Sequence, residues 1–151
     1  MTRQELQRAQ AALVDSLVAG GPVSLGLDAA RVKATERMLL RKRAREARQA
    51  WPRLAAFLGA GFASRFSAWA AAHPPPALGG PLADGRAFID SLSANAWPGS
   101  VAAELLEVDM RWKRARGGLL PRGRWALAFR RVGNRRVLAV ALGRWERRLT
   151  L

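Results

Sequence analysis

Few residues in this chain could do covalent or acid–base chemistry, and their spacing narrows what that chemistry could be. His73 is the single histidine and there is no cysteine, which removes disulfides, thiolate nucleophiles and Cys-based zinc or iron–sulfur centres. A lone histidine among scattered carboxylates does not assemble a metal site. His73 also precedes three prolines, at the end of a predicted helix, where a cation is favourable. Glu104, Glu107 and Asp109 form the densest acidic cluster. Glu104 and Glu107 are of the right type for general acid–base work, but pairing with Arg111 or with the basic second helix is their simpler use. Gly20-Gly21 and Gly79-Gly80 lack the strand-to-helix setting that a phosphate-cradling loop requires. The sequence therefore points away from an enzyme, with no catalytic residues, no metal and no cofactor expected.

Binding is better supplied than catalysis. Lys and Arg number 26 against 11 Asp and Glu, a formal net charge of +15. Such a charge draws phosphate polymers and anionic lipid whatever the fold. Nearly all of it is arginine, with lysine only at Lys33, Lys42 and Lys113. Arginine with abundant alanine is also what a GC-rich genome produces, so part of the charge is open to being background. The ordered cations lie between residues 29 and 50, where Arg37, Arg41, Arg45 and Arg48 recur at helical spacing beside Lys42 and Arg43. These six form the candidate partner- or anion-binding stripe. The plain alternative is a solvated helix face.

Half of the residues are hydrophobic, enough for a core, and the length suits one domain or a helical domain with a small appendage. The periodicity predicts a mainly α (α+β) chain. A bundle of five to six helices occupies 1–114, a breaker-rich linker 115–124, and a three-stranded antiparallel β-meander 125–151. Thr2 and Glu5 form a capping box ahead of a helix whose Leu6, Leu13, Val14, Leu17 and Val18 share a face. Gly20-Gly21-Pro22 ends it. Asp28 caps the basic helix, 29–50, which turns inward Val32, Met38 or Leu39, and Ala47. Pro52 opens a short helix, with Leu54, Phe57 and Leu58 inward and Gly59 closing it. Phe62, Phe66 and Trp69 form a core stripe. Residues 74–83 are expected as a surface loop and Asp84 as the cap of a helix over 85–92. A last helix runs from Pro98 to about Lys113, with Val101, Leu105, Val108 and Trp112 inward.

Beyond Arg124 the period changes from helical to alternating. Two-residue turns at Gly133-Asn134 and Gly143-Arg144 set Phe129 opposite Leu138, Leu127 opposite Val140 and Trp125 opposite Leu142. They also place Trp145 beside Leu142 and Leu149 beside Leu138. Both turns yield one apolar face, while the other face carries Ala126, Ala128, Ala139, Ala141 and Val137 with Arg130 and Arg148. Three strands need cover to be stable. The open edges, 125–132 and 145–151, invite an added strand from a peptide. Trp125, Leu127, Phe129, Trp145, Arg147 and Leu149 are the candidate peptide-binding residues.

The succession Lys42/Arg43, Trp51-Pro52, Leu58-Gly59, Phe62/Phe66/Trp69, Pro74-Pro75 and Gly85/Phe88 resembles the helical domain of HvfC/BufC-like proteins. That family has long been labelled DNA-binding, and its members often stand beside multinuclear non-heme iron-dependent oxidases (MNIO) that modify ribosomally made peptides. The resemblance implies a non-catalytic partner or adaptor that binds the oxidase, its precursor peptide, or both, with the iron belonging to the enzyme. The expectation is an MNIO partner protein in the biosynthesis of a ribosomally synthesised, post-translationally modified peptide (RiPP). It is expected to be cytoplasmic and free of the membrane. Its first residues do not read as a signal peptide, and no apolar run approaches the roughly 20 residues of a membrane span. The alternative is a DNA-binding, transcription-associated protein using the basic helix 29–50. Against it, that helix is long and charged nearly all round, and no short helix-turn-helix with a polar recognition helix is found. Nucleic acid therefore stands second to oxidase and peptide as the partner.

Overall fold

The computed structural model describes residues 2–19, 28–92, 97–123, 125–132, 135–142 and 145–150. Six helices come first: α1 (Arg3–Ala19), α2 (Ala29–Ala50), α3 (Pro52–Leu58), α4 (Gly61–Ala71), α5 (Gly80–Ser91) and α6 (Gly99–Arg111). Five strands follow: β1 (Trp112–Ala115), β2 (Gly118–Pro121), β3 (Trp125–Val132), β4 (Arg135–Leu142) and β5 (Trp145–Thr150). They form a two-stranded antiparallel hairpin, β1-β2, and a separate sheet in the order β3-β4-β5.

Local chemistry explains most helix starts. The Thr2 backbone N–H donates to Glu5 Oε2 at 2.6 Å and the Glu5 N–H donates to Thr2 Oγ1 at 3.3 Å, a reciprocal capping box. Asp28 Oδ1 accepts from the Ala30 N–H at 2.9 Å and so caps α2. Pro52 sits in the first turn of α3, where its missing N–H leaves no donor unpaired.

The main core gathers Trp51, Leu54, Phe62, Phe66, Phe88, Ile89, Val101 and Leu105 from α3, α4, α5 and α6 and the α2–α3 junction. Its centre is an aromatic cluster in which Phe88 meets Phe62 edge-on at 6.0 Å and Phe66 at 5.2 Å. The opposite side of α6 forms a second, smaller core. There Leu106 and Met110 pack on Ala126, Ala128 and Ala139 of β3 and β4. Helix α6 is thus buried on two faces and joins the helical part to the sheet.

Several expectations are corrected. Helix α5 begins at Gly80, five residues before the expected start at Gly85. Pro81 fits its first turn, and a buried salt bridge occupies Asp84, which therefore caps nothing. Helix α6 stops at Arg111 because Trp112 adopts an extended conformation and opens β1. The expected linker 115–124 holds Ala115 and all of β2. The Leu78 N–H donates to the Gly117 carbonyl and the Leu119 N–H to the Leu78 carbonyl, so the 74–83 loop is stitched onto β2. A side chain at Gly118 would overlap the Leu78 carbonyl, which explains the glycine there. Phe57 is 52% exposed, meeting Trp97 edge-on on the outside, and Val14 is 57% exposed. The expected helix stop at 20–22 and the turns at 133–134 and 143–144 lie outside the described residues.

Candidate functional site

Within the HvfC-like succession Trp51, Phe62, Phe66, Gly85 and Phe88 are buried in the core, whereas Lys42, Pro52, Gly59, Pro74 and Pro75 are exposed. Trp51 is fully buried, its indole Nε1 donates to the Leu82 carbonyl at 2.9 Å, and its ring lies against Gly85 of α5. A Cβ at position 85 would overlap that ring. The aromatic–proline pair and the Gly-x-x-Phe segment are therefore two halves of one lock, Trp51 against Gly85. Arg43, expected on the anion-binding stripe, belongs to the same lock. It forks onto both oxygens of buried Asp84 at 2.8 and 2.9 Å and donates through Nη1 to the Ala70 and His73 carbonyls. With its side chain 13% exposed, Arg43 ties α2 to α4 and α5 and is not free to meet a ligand. Its helical spacing matched the stripe, but nothing in the sequence announces its partner 41 residues away.

The acidic cluster is equally structural. Glu104 is buried and accepts the Arg53 and Leu54 backbone N–H groups, both at 2.9 Å, so it caps α3 from α6. Glu107 pairs with Arg53 at 3.1 Å, and Glu104 is engaged by α3 and not by the partners expected of it. Asp109 accepts from Arg86 and from Arg130, joining α5, α6 and β3. His73 donates from Nδ1 to the Trp69 carbonyl at 2.7 Å and stacks on the Trp69 ring at 4.7 Å. Among the described residues no group of three or more His, Asp or Glu could hold a metal ion.

The other stripe residues remain on the surface. Arg37, Arg41, Lys42, Arg45 and Arg48 are exposed along α2. Their only ion pair among the described residues is a loose one, Lys42 to Glu46 at 3.9 Å. Exposed Met38 lies among them, and it joins Leu39, Arg41 and Arg45 in lining a shallow depression.

The sheet presents the clearest candidate surface. Its register pairs Trp125 with Leu142, Leu127 with Val140 and Phe129 with Leu138 across β3 and β4. Leu138 pairs with Leu149, Val140 with Arg147 and Leu142 with Trp145 across β4 and β5. Because side chains alternate, Trp125, Leu127, Phe129, Leu138, Val140, Arg147 and Leu149 share one face, the face turned away from α6. Trp125 is 70%, Leu127 55%, Phe129 60% and Leu149 53% exposed. The sequence grouped them correctly but did not say which face the helices would cover. Alanine decides it: with the small side chains of Ala126, Ala128 and Ala139 at the centre of the inner face, α6 packs there and buries Leu106 and Met110. Arg131, Arg136 and Arg147 stand exposed on the outer face, an arginine rim around an aromatic patch. The side chain of Trp145 lies outside the described set.

The family model for the SCO6045-like, C-terminal domain matches residues 7–94, more than half of the chain. The chain belongs to this family. The match spans nearly all of α1 and then α2 to α5, including Trp51, Gly85 and Phe88, and stops before α6 and the strands. A curated relative, a "UPF0276 protein" of Streptomyces avermitilis, is 35% identical over 136 residues, 90% of this chain. A match of that length must also reach into β4. The chain spans only 27% of that relative. No solved structure matches the chain.

Proposed function

We propose that this chain is a non-catalytic partner module. It binds a multinuclear non-heme iron-dependent oxidase, its precursor peptide, or both, in the biosynthesis of a ribosomally made, modified peptide. The observation that carries the reading is the outer face of the β3–β4–β5 sheet. Large apolar side chains stand in solvent there, although the sheet already has a packed inner face. Contiguous exposed apolar surface rimmed by polar residues marks an interaction site more often than a packing accident. Trp and Arg are also the residues that most often anchor interfaces.

The HvfC-like succession in the helices supports the choice of partner. The relative from Streptomyces avermitilis also supports docking, because there the matching region is about a quarter of a longer polypeptide. A module joined to further polypeptide in one protein is suited to docking on a separate one in another. The outer face holds the apolar anchors, the rim arginines suit acidic residues, and the free edges of β3 and β5 can accept an extended peptide strand.

The exposed cations of α2 favour a second reading, DNA binding, and one experiment separates the two. The full chain is co-expressed with a multinuclear non-heme iron-dependent oxidase and that oxidase's precursor peptide and captured at moderate and raised salt. A stoichiometric complex that survives salt and is lost in Trp125→Ser/Phe129→Ser supports the partner reading. No complex, together with sequence-selective duplex binding at the same salt, overturns it in favour of DNA. Proline substitutions in β5 that leave peptide and oxidase capture intact would remove strand addition as the mode of contact.

A further inference from the structure

A second surface lies apart from the outer sheet face. Between the end of α4, the exposed flank of α5 and the β1-β2 hairpin lies an open cavity of about 480 Å³, within the size range of small-molecule sites. Its walls are mainly apolar. It is lined by the stacked Trp69–His73 pair, Pro74–Pro76, Ala83, Ala87, Ala115 and Leu119.

Three charged side chains enter this wall: Arg86, Asp90 and Arg114. Arg86 is the unusual one, because its side chain is only 7% exposed. It donates through Nε to Asp90 at 3.3 Å and through Nη1 to Asp109, and Nη2 donates to nothing among the described residues. Arg114 also donates to Asp90, at 2.9 Å, and Arg130 to Asp109, at 2.9 Å. Three guanidiniums, Arg86, Arg114 and Arg130, thus share two carboxylates, Asp90 and Asp109. A guanidinium stays protonated in proteins, so the network keeps one uncompensated positive charge. Arg114, whose side chain is 63% exposed, spends one donor on Asp90 and among the described residues has others open to an anion.

We infer that this cavity binds a carboxylate carried on a small apolar body. The carboxylate completes the Arg86 and Arg114 donors, and the apolar body lies against the Trp69–His73 stack and the prolines. Two sources carry that chemistry: a free organic acid and the C-terminal carboxylate of a peptide. The inference does not depend on the partner reading, since the site shares no residue with the outer sheet face.

The test is an NMR titration of the ¹⁵N-labelled full chain with phenylacetate and its neutral analogue phenylacetamide. N-acetyl-Ala-Phe is titrated in parallel with its C-terminal amide. Saturable shifts at the Trp69 indole N–H and the Ala87 and Gly117 amides are expected with the acids, and at least tenfold weaker binding with the amides. The tighter of the two acids identifies the source. Equal binding of acid and amide, or shifts that avoid these residues, would overturn the inference. Because an Arg86 variant risks misfolding, Ala87→Phe serves as the blocking variant, since Ala87 lines the cavity and is exposed. It should abolish the shifts while leaving the thermal transition unchanged, and undiminished affinity in that variant would equally overturn the site.

Discussion

The helical core and the C-terminal sheet treat the same residue types in opposite ways. In the core, Trp51, Phe62 and Phe66 are fully buried and Phe88 is 1% exposed. In the sheet, Trp125 is 70% and Phe129 60% exposed, and the buried positions belong to alanines. Aromatics in the core are explained by folding, because each buries a large apolar area against neighbours. Those on the sheet are not, because α6 packs on the alanine face. The contrast separates residues that hold the fold from large apolar residues that stand in solvent.

Substitutions can break that contrast, and the largest effect belongs to the Trp51 lock. Gly85→Leu should displace the Trp51 indole and prevent cooperative folding. Trp51→Ala should cost about 3–5 kcal/mol in urea unfolding, as large core truncations do. Next comes the ion pair: Arg43→Met leaves Asp84 buried and unpaired, an expected loss of about 3–5 kcal/mol. Arg43→Met/Asp84→Leu should recover most of that loss in the same measurement, because replacing both partners removes the stranded charge. Glu104→Ala, which strips the acceptor from two N–H groups of α3, should cost about 1–3 kcal/mol by thermal unfolding.

At the small end, Trp125→Ser/Phe129→Ser should change stability by only about 0.5 kcal/mol, as exposed substitutions usually do, while lowering partner capture at least tenfold. A loss comparable with Trp51→Ala would show that the outer face is part of the folding core, and the contrast would collapse. Replacing Arg37, Arg41 and Arg48 together by Gln should leave the unfolding midpoint nearly unmoved. Its readout is the salt dependence of whatever acidic partner is bound, which should become shallower.

Much of this architecture is determined by the sequence alone, where the controlling interaction is local. The capping box at Thr2 and Glu5, the Asp28 cap, the span of α2, Pro52 at the head of α3 and the core stripe of Phe62 and Phe66 follow from neighbours a few residues apart. The strand register follows from alternation, which groups Trp125, Leu127 and Phe129 with Leu138 and Val140. Tertiary structure decides what those rules leave free. Arg43 and Arg41 are the same residue type two positions apart, yet only Arg43 meets Asp84, because α5 crosses there. Glu104 looks like half of an acidic pair until α3 presents two unpaired N–H groups to it. Alternation also tells which side chains share a face but not which face is covered. Small methyl groups admit α6 to one side of the sheet, and the aromatic side is left to water or to a partner.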